Sequence, residues 1–443
     1  MTAPGLLERA RARNPLPPGT VSVGIGFLVA GATIYVFLAI AARALGPDRY
    51  ASLSALWAIT FLAAPGFYYP VEQEVARALS ERGARGVGGG PVVRRAALLG
   101  GAFVVALTAI SLAASGLLVD EFFDGEALLL VAFVGALAAY AAQHLLRGTL
   151  GGTGRFGPYG LLIGTEGATR LAGATILAVV GVTTAGAYGL VVAVSPLVAV
   201  TLVGTRERNL MTPGPDAPWN ELTRAFGYLL VGSVLAQTMI NVTPLIVNVL
   251  ASDDERELVG KVLIALIVAR IPVFMFQAVQ ASLIPQLAAL AAKGEDAEFK
   301  ARLVRLMAAL GAAAAAFTVV AALAGPTVVG AFFGEEYRLG SLDMALLAAA
   351  SSVYMAALAL AQALISISGY RRAAFAWVLG TVTIFAVTAI PGDLVLRAER
   401  GFLAGAVVAA ATMTVLLLRR LRRGLAVGDQ AGDTSMLPMM PEG

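Results

Sequence analysis

The chain has 443 residues and a formal net charge of +4; 58% of its residues are hydrophobic, 14% are charged, and its mean hydropathy is +0.81. Soluble domains carry about 25% charged residues, so this composition excludes the ordinary soluble class. A bilayer accommodates this much apolar surface, and we therefore expect a polytopic membrane protein. The sequence has no cysteine and one histidine, which excludes disulfides, cysteine ligands and a metal site built from several histidines.

Apolar runs of about 20 residues, the length needed to cross a bilayer, divide the chain into twelve predicted transmembrane helices. The predicted spans are 20–42, 50–72, 94–118, 126–147, 158–180, 185–204, 225–250, 259–285, 303–329, 342–366, 373–391 and 401–418. The expected fold class is an all-α polytopic membrane protein with about 12 transmembrane helices in two six-helix lobes.

The distribution of basic residues between the predicted loops indicates the orientation. With the N-terminus inside, 23 of the 32 Lys and Arg residues fall on the cytoplasmic side and seven on the outer side. The outer loops are instead acidic, as in 120–124 and 253–255. Cytoplasmic loops of membrane proteins carry an excess of Lys and Arg, so the sequence predicts that both termini are cytoplasmic.

The spans and loops divide the chain into five predicted segments. They are a cytoplasmic N-terminal segment (1–19), an N-lobe of helices 1–6 (20–204), a cytoplasmic linker (205–224), a C-lobe of helices 7–12 (225–418) and a cytoplasmic tail (419–443). Pro213, Pro215 and Pro218 make the linker a semi-rigid joint between the lobes. No predicted loop is longer than about 20 residues, which leaves no room for a soluble catalytic domain. We therefore expect a protein that is not an enzyme.

The two predicted lobes resemble each other at an offset of about 210 residues. Residues 122–125 (FFDG) before the fourth span correspond to 332–335 (FFGE) before the tenth. Because six is an even number, the two halves would share one topology and be related by an axis along the membrane normal. Parallel repeats of this kind place a substrate pathway at their interface in secondary transporters.

Three ionisable residues fall near the middle of predicted spans, where a charge has to face a cavity or a partner. Glu166 and Arg170 lie four residues apart on the fifth span, so they share one helix face and are able to pair. Arg270 lies near the middle of the eighth span, and Pro272 should kink that helix. One interpretation is that the two arginines bind an anionic substrate. The other is an internal salt bridge for Arg170 and snorkelling for Arg270.

The seventh span carries a polar stripe. Gln237, Asn241, Pro244 and Asn248 are separated by four, three and four residues, which places them on one helix face. This face is predicted either to line a water-filled cavity or to form interhelical hydrogen bonds that hold the helices together. Further amide side chains lie on the eighth and tenth spans, at Gln277 and Gln362.

Polar groups also mark the cytoplasmic ends of the second and fourth spans. Glu72 and Glu74 are candidates for a gate or for ion coupling, and the alternative is a solvated or paired helix end. His144 is a candidate pH-sensitive group, and the alternative is a hydrogen-bonded interfacial histidine.

Several functional motifs are missing. The sequence has no phosphate-binding loop of the Gly-x-x-x-x-Gly-Lys-Ser/Thr type, so we expect no ATP hydrolysis. Its acidic residues match no cation-binding loop, and its basic clusters lack interleaved aromatic residues. We therefore expect no cofactor, no metal and no nucleic-acid partner, with coupling to a proton or sodium gradient as the source of energy.

Two segments resemble a known family. Residues 41–50 (AARALGPDRY), directly after the first span, resemble the R-x-L-G-P-x-x-Y/F-G turn of bacterial polysaccharide (oligosaccharide-lipid) flippases, with Ala51 where the family has Gly. Residues 147–159 (RGTLGGTGRFGPY), with Glu166 and Arg170 after them, resemble the passage from the fourth to the fifth span of that family. These flippases belong to the multidrug/oligosaccharidyl-lipid/polysaccharide exporter superfamily.

The resemblance implies an alternating-access exporter in the bacterial plasma membrane, with two lobes that form a V. Its cargo would be a lipid-diphosphate-linked glycan precursor for polysaccharide biosynthesis. It would contact membrane lipids, and its partners would be other glycan-assembly proteins. Arg170 and Arg270 are the residues of this chain that would supply positive charge to the diphosphate. The alternatives are an ion-coupled multidrug exporter of the same superfamily, which would use acidic groups, and a non-catalytic membrane component of glycan assembly. A membrane-embedded polymerase or ligase would need a larger outer loop.

Overall fold

A computed structural model describes residues 20–223, 226–274, 294–367 and 369–422, together with residues 276, 287 and 290. Over these residues the chain is helical, with short turns and no strand. Eight helical segments are long and apolar enough to cross a membrane, and one of them, Ser22–Ala84, contains two helices in succession. The predicted all-α membrane fold is confirmed.

Twelve long helices are present in the described part of the chain. They are α1 (20–45), α2 (47–84), α3 (Gly90–Ala113), α4 (Ala127–Gly152), α5 (Phe156–Val179), α6 (Ala185–Gly204), α7 (Phe226–Leu250), α8 (Arg256–Ala269, followed by a turn and residues 271–274), α9 (Asp296–Phe333), α10 (Ser341–Ser366), α11 (Tyr370–Thr388) and α12 (Leu394–Arg422). A short helix, Asn220–Thr223, lies in the linker. We call the helices α1–α6 the N half and α7–α12 the C half.

The first two helices form one run, Thr20–Ala84, that is broken at Gly46. Gly46 has φ 73° and ψ 169°, a backbone conformation that residues with a Cβ rarely adopt. Pro47 follows it and cannot donate a hydrogen bond to the preceding turn. The predicted break between the first two spans therefore has a local cause. The second helix continues twelve residues beyond the predicted end at 72, which is about 18 Å.

The packing of the helices repeats between the two halves. In the N half α1 packs on α5, and α6 packs on both α4 and α5. In the C half α7 packs on α11, and α12 packs on both α10 and α11. This agreement matches the internal repeat that the sequence predicts. Small residues permit the closest contact: a Cβ on Gly26 of α1 would lie 2.5 Å from the carbonyl oxygen of Gly160 in α5.

The two halves are joined at the end of the bundle opposite the linker, which we call the far end. Arg43 donates to the carbonyl oxygen of Phe332 at 2.9 Å and to that of Ala331. Tyr337 donates to the carbonyl oxygen of Ala42 at 3.1 Å, and its ring meets that of Tyr50 edge-on at 5.7 Å. These six residues form the far-end seal. Residues 41–50, which resemble the flippase turn, therefore pack between the halves.

The linker is bound to the N half. Arg82 holds both carboxylate oxygens of Glu221, at 2.7 and 2.8 Å, and also donates to the carbonyl oxygen of Pro215 at 2.9 Å. Arg95 pairs with Asp216 at 2.7 Å and lies over the ring of Trp219. The described part of the linker is therefore fixed to the N half along its proline-rich stretch, because these contacts tie it to the ends of α2 and α3.

We predict that E221Q lowers stability in a pH-dependent way. The hydrogen bonds and charge of Arg82 hold the pKa of the Glu221 carboxyl below its ordinary value, so its contribution is complete at neutral pH. This contribution to the stability of the folded state is lost as the pH falls from the ordinary pKa of a glutamate to the lower pKa of Glu221 in the folded state. E221Q should lower the free energy of unfolding by about 1 kcal/mol at neutral pH and by less near pH 4. Thermal unfolding in detergent measures this difference.

The matched control is E81Q. The carboxylate of Glu81 forms an exposed pair with Arg77 four residues away, and such pairs contribute little. A stability difference between wild type and E221Q that stays the same across this pH range would contradict the prediction.

Candidate functional site

A cavity of about 610 Å³ lies between the two halves. It is lined by α1, α2, α4 and α5 of the N half and by α7, α8, α10 and α11 of the C half. On each of these helices the lining residues lie at the middle or toward the end of the bundle that carries the linker, which we call the linker end. The far-end seal closes the other side. The cavity thus reaches from the middle of the predicted membrane toward the linker end.

The wall of the cavity is rich in aromatic residues. Two of the three tryptophans and six of the 11 tyrosines of the chain line it. The aromatic lining residues are Phe27, Trp57, Phe61, Tyr69, Tyr140, Phe156, Tyr159, Tyr228, Phe274, Tyr354, Tyr370 and Trp377. Such side chains combine an apolar face with, for Tyr and Trp, a hydrogen-bonding group. The wall is therefore suited to a ligand that is itself partly apolar and partly polar.

Arg270 lies on the C-half wall of this cavity and is 7% exposed. It follows the last residue of α8, where Pro272 cannot continue the helical hydrogen bonds. Its Nη1 donates to Asn241 at 3.2 Å, while its Nε and Nη2 have no hydrogen-bond partner among the described residues. The hydroxyls of the neighbouring Tyr35 and Tyr354 donate to backbone carbonyls instead. In the described part of the chain, no carboxylate contacts this guanidinium.

The polar stripe of α7 divides between two environments. Gln237 and Asn241 line the cavity, and Asn241 also donates to the carbonyl oxygen of Phe61 in α2 at 3.2 Å. Asn248 is not among the described lining residues; it donates to the carbonyl oxygen of Glu121 at 3.0 Å. It lies seven residues, or about 10 Å, closer to the far end than Asn241. Of the two predicted roles, Asn248 therefore has the hydrogen bond to a neighbouring segment and is not among the described lining residues of the cavity.

Glu166 and Arg170 pair on the N-half wall. Nη1 of Arg170 donates to Glu166 at 2.9 Å, and Arg170 is 1% exposed with its guanidinium over the ring of Trp57. Tyr140 donates to the same carboxylate oxygen at 3.0 Å, and Gln143 donates to the other at 2.8 Å. Both charged groups line the cavity. The charge of Arg170 is nevertheless neutralised locally, so the two predicted arginines are not equivalent.

A second polar cluster lies on the same wall, nearer the linker end. Glu72 accepts a hydrogen bond from Tyr159 at 2.9 Å and lies 3.3 Å from Arg147. Nδ1 of His144 lies 2.7 Å from its other oxygen. All four side chains line the cavity. Glu74 is buried on another face of α2 and pairs with Arg77 at 2.8 Å, so the structure separates the two predicted gate residues.

The helix α4 supplies most of this polar wall. Tyr140, Gln143, His144 and Arg147 follow the i, i+3, i+4, i+7 pattern of one helix face. Sequence reasoning singled out His144 and missed Tyr140, although the same spacing would have found it. Tyr159 was missed as a partner of Glu72 because it comes from α5, and only tertiary packing brings the two together. Gln277 lies outside the described residues, and Gln362 lines the cavity.

The charges around the cavity do not balance. Among the described lining residues, Glu72 and Glu166 face Arg147 and Arg170, and Arg270 remains without a carboxylate. With a neutral His144 the lining therefore carries one net positive charge. The described residues contain no cluster of three or more metal-ligating side chains. The arrangement is therefore suited to binding an anion.

The chain is similar in sequence to mycobacterial proteins. No known family profile matches the chain. It is 26% identical over 422 residues to "Uncharacterized protein Rv1510" of Mycobacterium tuberculosis (strain ATCC 25618 / H37Rv), covering 93% of this chain and 94% of that protein. It is also 26% identical over 288 residues to "Uncharacterized protein Mb3654" of Mycobacterium bovis, covering 64% of this chain and 65% of that protein.

Solved structures of MATE family transporters superpose on the chain. An inward-facing multidrug resistance MATE transporter of the MOP superfamily has a TM-score of 0.72 at 14% identity, covering 90% of this chain and 98% of that one. An outward-facing one has a TM-score of 0.66 at 15% identity, with coverages of 91% and 96%. The Vibrio cholerae MATE transporter VcmN has a TM-score of 0.68 at 12% identity. The chain therefore has the two-lobed fold of MATE transporters, and it is a multi-pass membrane protein.

We predict that R170A is strongly destabilising because it leaves the buried Glu166 without its charge partner. Removing one partner of a buried ion pair costs about 3–5 kcal/mol. The double variant E166Q/R170M removes both charges and should recover most of this loss, measured as thermal unfolding in detergent.

The matched control is R338A, which removes an arginine from an exposed pair with Glu335 and should change stability by less than about 1 kcal/mol. If E166Q/R170A lost as much stability as E166Q and R170A together, the two side chains would not act as a pair.

Proposed function

We propose that the chain is an alternating-access exporter that moves a lipid-diphosphate-linked glycan precursor across the bacterial plasma membrane. The observation that carries this proposal is the guanidinium of Arg270, which no described carboxylate contacts, in an aromatic cavity between two halves with the same helix packing. The cargo crosses the membrane unchanged, so the protein acts as a transporter and not as an enzyme.

The charge of the cavity supports an anionic cargo. A buried charge without a counter-charge costs several kcal/mol, and two nitrogen atoms of Arg270 have no hydrogen-bond partner in the part of the chain that the structure describes. A diphosphate offers oxygen acceptors at the spacing that a guanidinium fork binds in a bidentate manner. The cost of holding Arg270 in an empty cavity would then be offset when the cargo is bound.

The aromatic and amide lining supports a sugar-bearing cargo. Glycan rings present apolar faces as well as hydroxyl groups, and Tyr and Trp side chains match both. The amides of Gln73, Gln237 and Gln362 line the same space and both donate and accept hydrogen bonds. The volume of about 610 Å³ is that of a pocket for a small ligand, which suits a diphosphate carrying a short glycan.

The placement of the cavity supports alternating access. The far-end seal closes one side, and the cavity extends toward the linker end, which the loop charges predict to be cytoplasmic. The described conformation would then be the one that loads cargo from the cytoplasmic side. The same fold is known in both inward-facing and outward-facing conformations, and parallel halves around a central site are an arrangement that secondary transporters use.

The alternative is an ion-coupled multidrug exporter with a cationic cargo, because solved structures of the same fold include a multidrug resistance transporter. Such a cargo would need a free carboxylate in the cavity. The two described carboxylates that line it, Glu72 and Glu166, already bind guanidinium, tyrosine and histidine or glutamine side chains. We therefore favour the anionic cargo.

We predict that R270A abolishes export of the lipid-linked glycan while leaving insertion and folding intact. Loss of a charged hydrogen-bonding partner to phosphate should reduce transport about 10-fold or more, whereas R270K should retain part of it. The measurement is glycan translocation in proteoliposomes. R338A, an arginine variant outside the cavity, is the control, and wild-type transport by R270A would remove this residue from the site.

We further predict that the reconstituted protein does not export a cationic dye such as ethidium. The net positive cavity should repel such a cargo. Dye efflux is measured in the same proteoliposomes with and without a proton gradient. Gradient-driven dye efflux that survives R270A and is lost in E72Q would favour the drug-exporter reading.

A further inference from the structure

We propose that anionic cargo and one proton bind to the cavity together, with His144 as the group that takes up the proton. This inference rests on the proposed function, because it requires an anionic cargo beside Arg270. It assigns a role to the single histidine of the chain, which is buried in the wall of the cavity and is 3% exposed.

The contacts of Glu72 determine which nitrogen of His144 is free. Tyr159 donates to one carboxylate oxygen at 2.9 Å, and Arg147 lies 3.3 Å from it. These donors stabilise Glu72 as an anion, so the ring nitrogen 2.7 Å from its other oxygen, Nδ1, carries a proton and donates. The second ring nitrogen, Nε2, is then the one that accepts a proton from water in the cavity.

The groups around His144 leave no spare negative charge. Glu72 is matched by Arg147, and Glu166 is matched by Arg170. The titratable and charged groups that face the ring from the packed helices are Tyr68, Tyr69 and Glu72 of α2, Tyr140 and Arg147 of α4, and Tyr159 and Glu166 of α5. A proton on His144 in the empty cavity would therefore add a second uncompensated positive charge, which burial opposes.

Bound cargo changes the net charge of the cavity from positive to negative. A diphosphate diester carries two negative charges, and Arg270 compensates one of them. The loaded cavity then has one excess negative charge, and a proton on His144 makes it neutral. Because charges interact strongly across a low-dielectric cavity, cargo favours the protonated imidazole. By thermodynamic reciprocity, the proton favours cargo by the same factor. The proton is taken from cavity water and returned to water when the cargo leaves.

The experiment uses the full chain in detergent with a purification tag that contains no histidine. Imidazole ¹⁵N labelling then gives the signals of one residue, His144. The probe is a short-chain isoprenoid diphosphate diester of a hexose, whose own acidic groups do not titrate between about pH 5 and pH 8, where histidine does. The titration midpoint of His144 is measured with and without probe, and the affinity for the probe is measured across the same range.

We expect the probe to raise the titration midpoint of His144 and the affinity of the wild type to fall about 5-fold or more from the acidic to the alkaline limit. In H144Q the affinity should not vary with pH. The wild-type titration requires no variant, so it decides the proposal even if H144Q does not fold.

Two negative results are distinguishable. If the probe binds, and R270A weakens that binding, but the midpoint of His144 does not move, proton linkage is overturned while the proposed anionic cargo stands. If the probe does not bind at any pH, the proposed function itself fails. A midpoint that falls on adding the probe would show that cargo and proton compete.

Discussion

A charge in the middle of an apolar bundle needs a counter-charge, and this requirement organises the cavity of the protein. On the N-half wall it is met inside the protein, because Glu166 and Arg170 are held together by Tyr140 and Gln143. On the C-half wall, no carboxylate of the described residues contacts Arg270. The difference gives the described lining of the cavity one net positive charge, and the proposed transport of an anion follows from it.

The backbone around Arg270 explains how a charged residue is placed there. Helix α8 is interrupted directly after Ala269, since Pro272 removes a helical hydrogen-bond donor. Irregular backbone at membrane depth is tolerated where it lines a cavity. The neighbouring tyrosine hydroxyls donate to backbone carbonyls, which stabilises the walls, and among the described residues Asn241 accepts a hydrogen bond from the guanidinium.

The halves contact each other in the far-end seal, and the described part of the linker is bound to the N half. The far-end seal uses backbone carbonyls as acceptors for Arg43 and Tyr337, and such hydrogen bonds can exchange with water when the halves separate. At the linker end, the proline-rich segment is fixed to the N half through Arg82 and Arg95. A rearrangement of the halves would therefore carry this described part of the linker with the N half.

The sequence alone determined the membrane class, the twelve helices and the break between the first two of them, because hydropathy, helix length and backbone conformation are local properties. Helical spacing also placed Glu166 and Arg170 on one helix face, where they are able to pair. Only tertiary packing decided that no described carboxylate contacts Arg270, that Tyr159 donates to Glu72, and that Asn248 is not among the described lining residues of the cavity. These outcomes depend on which distant helices become neighbours, and spacing along one chain does not encode that.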